Sequence, residues 1–105
     1  MNWIALIIAG LFEIGWPLGL KMAQQTEGSK VGWIAFAVIS MAVSGGLLFY
    51  AQKSIPIGTA YAVWTGLGAV GTLAVGIAFF GDSASIFRLL SAVLIIAGII
   101  GLKIF

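Results

Sequence analysis

Four apolar runs, each about 20 residues long, alternate along this chain with short polar interruptions. About 20 mostly apolar residues suffice for a helix to cross a bilayer. Asn2 to Leu20 forms the first run, closed by Lys21, and MAQQTEGSK reads as a polar loop. Val31 to Gln52 carries no charge. KSIPIG reads as a turn, because Pro56 disfavours helix at Ile55 and suits the first turn of the helix that follows. Ser54 to Gly81 is again uncharged, GDS marks a tight turn, and Ile86 to Phe105 completes the pattern. Helices are therefore predicted over about 2–21, 31–52, 58–80 and 86–104, in one membrane domain covering 1–105. With loops this brief the expected architecture is a small, all-α, up-down bundle of four transmembrane helices. Trp3, Trp33, Tyr50 and Phe105 fall at predicted helix ends, as an interfacial aromatic belt requires. Arg88 and Lys103 lie close enough to ends to snorkel.

Composition sharpens this picture. Of 105 residues, 62% are hydrophobic and 8% charged, against roughly 25% charged in soluble domains. A water-facing surface cannot be assembled from such a chain, so a multi-pass protein of the cytoplasmic membrane, embedded in the lipid bilayer, is expected. The net charge of +2 is too small and scattered for nucleic acid. With no cysteine and no histidine, neither disulfides nor thiolate or imidazole metal sites arise. The first run lacks a basic leader and a small-x-small cleavage site before Lys21, so it is read as a span. No nucleotide loop or nucleophile–base pair is present. GLGAVG matches a dinucleotide-binding string only by chance, since no strand precedes it. Neither an enzyme nor a cofactor is expected.

Charge also bears on orientation. With four spans, one side carries Lys53 and Lys103 and the other Lys21, Lys30 and Arg88. So even a balance barely orients a protein. Insertion in both orientations, with copies pairing antiparallel, is the expectation; a single orientation fixed by some other signal is the alternative. Four spans are also too thin to enclose a shielded path, which favours an oligomer.

Glu13 is the one acidic residue inside the apolar runs. A carboxylate at the centre of a bilayer costs about 2.5–3.5 kcal/mol by insertion scales. Burial opposes its charged form, while a hydrogen bond to the carboxylate favours it. Trp16, one turn on, offers an indole N–H for that bond, and Gly10 and Ala9 are expected to leave room beside the carboxylate. Protons and cations can then compete for one group. Pro17 lacks the N–H that would bond the carbonyl of Glu13 itself, so a kink or a freed acceptor is expected there. In the third run Tyr61, Trp64, Thr65 and Gly68 share a face, and Tyr61 with Trp64 can box a cation against a carboxylate. Gly66, Gly68, Gly71 and Gly76 allow close approach, or a bend near Gly66–Gly68. Ser40 and Ser44 lie one turn apart and can equally bond their own helix. Ala97, Gly98 and Gly101 form a small-residue seam for packing or dimerisation.

At FEIGW, KSIPIGTAYAVWTGLGAVG and GIIGLK the chain resembles the small multidrug resistance family, over essentially its whole length. That resemblance implies an antiparallel, dual-topology homodimer of four-helix subunits that exchanges protons for small organic cations. Trp16 after Glu13, Lys21 and KSIPIGTAYAVWTG are more similar to the guanidinium-exporter subtype than to the quaternary-ammonium one. It further implies Glu13 as the shared proton and substrate site, with Trp16, Ser44, Tyr61 and Trp64 as its partners and Gly10 as its space. Pro17 and the pair Gly45–Gly46 depart from the subtype's usual residues and point to tolerance of alkylated or larger cations. Three readings compete with guanidinium export: a broader quaternary-ammonium exporter of the same family, a proton-carrying rotor subunit, and a structural assembly protein. Four spans and the aromatic residues around Glu13 disfavour the rotor, and an assembly protein leaves the cost of Glu13 unexplained.

Overall fold

The computed structural model describes residues 2–105. Its elements are α1 (Asn2–Gln25), α2 (Val31–Ala51), α3 (Ile57–Phe79) and α4 (Ile86–Ile104). All four are long and apolar enough to cross a membrane. The 24 residues of α1 extend about 36 Å and the 19 of α4 about 28 Å, against a hydrocarbon core of about 30 Å.

α1 continues past Lys21 to Gln25, so MAQQ is a last helical turn and not loop. Met, Ala and Gln are good helix formers, and Lys30 closes the end by donating from Nζ to the carbonyls of Ala23 (2.7 Å) and Thr26 (3.5 Å). A cation there complements the negative end of the helix dipole. Pro17 does not break α1, which is continuous α-helix through it, but its missing N–H leaves the Glu13 carbonyl without its helical donor. α3 begins at Ile57 behind Pro56. It stops where Gly81, at φ 72°, turns the chain so that the Phe80 and Asp82 N–H groups both donate to the carbonyl of Gly76. Ser85 caps α4 by accepting from the Arg88 N–H.

The helices do not close into a bundle within one copy. α1 packs between α2 and α3, and α4 lies chiefly against α3. The result is a slab 47 × 34 × 17 Å. Small residues make the α1–α2 contact close: a Cβ on Gly15 would lie 2.6 Å from Ser40 Oγ, and one on Gly19 would lie 3.0 Å from the carbonyl of Trp33. This is the short approach that small residues four apart permit between membrane helices.

The two ends of the slab differ. At the end holding the start of α1, the α2–α3 turn and the end of α4, Leu6, Ala51, Ile55, Ala60 and Val63 form a buried cluster. Asn2 bonds the Ser54 hydroxyl there, and the Lys103 ammonium lies 5.3 Å from the Trp3 ring. At the other end a cavity of about 260 Å³ is lined by α1, α3 and the turn after α3.

Candidate functional site

Glu13 occupies the middle of α1, about 17 Å of helix from either end. Its side chain is half-buried between α1 and α3. Trp16 donates its indole N–H to Oε1 at 2.8 Å, across the one-turn spacing on the same helix. The aliphatic part of Glu13 rests on Gly68: a Cβ there would lie 2.5 Å from Glu13 Cγ and 3.0 Å from its Cβ. Gly68 therefore holds the carboxylate's stem in place by having no side chain.

Behind this contact a polar chain joins three helices. The Trp64 indole N–H donates to the Ser44 hydroxyl (2.7 Å), which donates to the carbonyl of Ala9 (2.7 Å). Ser44 is fully buried. It does not bond its own helix, unlike Ser91, whose hydroxyl donates to the carbonyl of Phe87. In α-helical register the Ala9 carbonyl is also the acceptor for the backbone N–H of Glu13. Ser44 and Trp64 thus fix the turn that carries the carboxylate, without touching the carboxylate itself. Replacing Ser44 with Ala strands the Trp64 N–H and frees the α1–α2 link. We expect a loss of about 1–2 kcal/mol, read as lower thermal stability in detergent, with Ser44→Thr losing less.

Two expected site residues, Gly10 and Tyr61, sit differently from their sequence reading. Gly10 leaves no open volume beside Glu13; Leu67 fills it, its Cβ 2.7 Å from where a Gly10 Cβ would stand. Tyr61 lies at a tilt to Trp64, rings 5.5 Å apart, and the residue is 56% exposed. It makes no hydrogen bond to Glu13 among the described residues, so one copy does not form a closed aromatic box. Gly66 seats Ile99 and Ile95 of α4, while Gly98 has nothing within 4 Å. Both α3 and α4 are unbroken helices at these glycines.

Gly71 gives the close approach expected of it and receives Ile14, the neighbour of Glu13. Other contributors escaped the sequence reading. Gly15 and Gly19 bind α1 to α2 and were detectable as a small-x-x-x-small pair. The cavity between α1 and α3 begins one turn from Glu13, at Ile14 and Pro17, passes Thr72 and Val75, and reaches Lys21 and Asp82. No group of residues suited to a metal ion occurs among the described residues.

A family model described as Small Multidrug Resistance protein matches residues 1–95. A guanidinium exporter of Proteus vulgaris is 52% identical over 105 residues, covering 99% of this chain and 98% of its own. One from Yersinia pseudotuberculosis is 54% identical over 104 residues, with the same coverage. A guanidinium exporter of Escherichia coli is 52% identical over 105 residues, covering 99% and 97%.

Proposed function

The chain belongs to the small multidrug resistance family, a multi-pass protein of the inner membrane, and we propose that it exports guanidinium and related guanidinyl cations in exchange for protons. The observation that carries this reading is the mid-span Glu13 carboxylate, oriented by Trp16 and seated on Gly68. The names of relatives about 52% identical over the full length support the substrate. Guanidinium is planar and presents paired N–H donors that match carboxylate oxygens. Trp16 occupies one lone pair of Oε1 and leaves Oε2 and the remaining acceptor sites to the cation. A proton and a cation then exclude one another from the same group, which couples their opposite movements.

The working unit in this proposal is an antiparallel homodimer with one Glu13 from each copy facing a shared cavity. The near balance of basic residues on the two sides supports dual insertion. α4 buries none of its residues in one copy, and Gly98 and Gly101 have no neighbours within 4 Å, which leaves its seam to a second copy. Tyr61, exposed on α3, is likewise available to the partner's carboxylate. Two copies that exchange shapes make inward- and outward-open forms equivalent, so little free energy separates them.

Reconstituted liposomes test the transport. A guanidinium gradient is expected to drive protons in the opposite direction. Proton movement with tetraalkylammonium but none with guanidinium would replace this substrate with the broader one, toward which bare Gly45 and Gly46 on α2 lean. For the assembly, a tag after Phe105 is expected on both membrane faces in similar amounts, with a detergent-solubilised mass near a dimer. A tag found on one face only would overturn dual insertion.

A further inference from the structure

We propose that Asp82 forms an outer cation-binding position at the mouth of the α1–α3 cavity, which guanidinium occupies on its way to Glu13, and that Lys21 competes with the cation for it. This rests on the transport reading above. The cavity of about 260 Å³ has room for so small a cation, and it runs from Lys21 and Asp82 toward the α1 turn that carries Glu13: Ile14 and Pro17 line it there, although Glu13 itself does not.

The fold places the Asp82 carboxylate specifically. Gly81 turns the chain at positive φ, and the Asp82 N–H returns to the Gly76 carbonyl at 3.1 Å. The carboxylate then lies against Gly76, in the space a Cβ there would occupy. This is the C-terminal turn of α3, where unpaired carbonyls and the helix dipole are already negative and an added carboxylate is unfavourable. No hydrogen bond to the Asp82 carboxylate offsets this among the described residues. Two negative sources converging on one cavity mouth make a place for a cation. Lys21, on the opposite wall, is the resident cation that can answer that field. It is exposed and flexible, so an incoming guanidinium can displace it.

Because Asp82 is exposed to solvent, the effect is modest and sensitive to salt. Initial rates of guanidinium uptake into liposomes at low ionic strength are the measurement. Asp82→Asn is expected to raise KM about threefold with the maximal rate unchanged, and the difference should fade at high salt. Asp82→Glu should stay near the original value. Lys21→Gln should lower KM, and that gain should disappear when Asp82 is also Asn, because the lysine acts through this carboxylate. An unchanged KM in Asp82→Asn, or a Lys21→Gln gain that persists without Asp82, overturns the proposal. Should Asp82→Asn fail to fold, Lys21→Gln decides alone: an unchanged KM overturns it. Unsubstituted protein that moves no guanidinium defeats the transport reading and the outer position with it. Normal transport with no response at Asp82 defeats only the outer position.

Discussion

Glu13→Gln is expected to abolish proton-coupled guanidinium transport while leaving the helices in place. The amide keeps the size of the carboxyl, and its carbonyl oxygen still accepts from the Trp16 indole at the position where Oε1 now accepts at 2.8 Å. The contact with Gly68 involves Cβ and Cγ, which the substitution does not change. What disappears is the charge and the exchangeable proton. Loss of a buried charge partner costs about 2–5 kcal/mol, so guanidinium affinity should fall by at least about 30-fold. Coupling should vanish outright, because the amide does not titrate. Transport assays with melting curves on the same preparation separate the two effects. Full activity in this variant, or loss of the fold, would remove Glu13 from the centre of the mechanism.

Gly68→Ala should be nearly as damaging, though it removes no functional group. The new methyl would stand 2.5 Å from Glu13 Cγ and 3.0 Å from Cβ. These are stem atoms fixed to the helix, so α1 must move away from α3 or Glu13 must leave its rotamer. Overpacking of this kind costs about 1–3 kcal/mol. A shift of about 1 Å in a reacting group can cost on the order of 100-fold in rate. Transport reduced by at least about tenfold is expected, with a change in Trp fluorescence as the Trp16–Glu13 bond is disturbed. Gly32→Ala is the matched control, since nothing lies within 4 Å of a Cβ there. Equal rates in Gly68→Ala and Gly32→Ala would show that Gly68 does not position the carboxylate.

The four spans were legible because each depends on a run of apolar residues and a local stop, such as Pro56 or the Gly81–Asp82 turn. The Trp16–Glu13 bond was legible for a similar reason: its partners are three residues apart on one helix, and helix geometry brings them together. What the sequence hid is which helix faces which. Gly10 looks like open space until α3 is docked and Leu67 enters it. Ser44 could equally have bonded its own helix, and only the docked α1 and α3 show that Ala9 and Trp64 are its partners. Lys21 and Asp82 belong to different helix ends, and no local pattern predicts that they share a cavity. The end of α1 was missed because a polar, helix-favouring segment gives no hydropathy signal and is closed by the distant Lys30 ammonium.

The stitching at one end of the slab has a consequence for the proposed antiparallel pair. Asn2 with Ser54, and Lys103 with Trp3, brace the margin of each copy that holds both chain termini. The opposite margin, around Pro17 and Phe80, holds the cavity instead. If two copies lie head to tail as proposed, each leaflet contains one braced margin and one cavity-bearing margin. Rocking on either face would then fall to a single copy at a time, with the braced neighbour as its fulcrum.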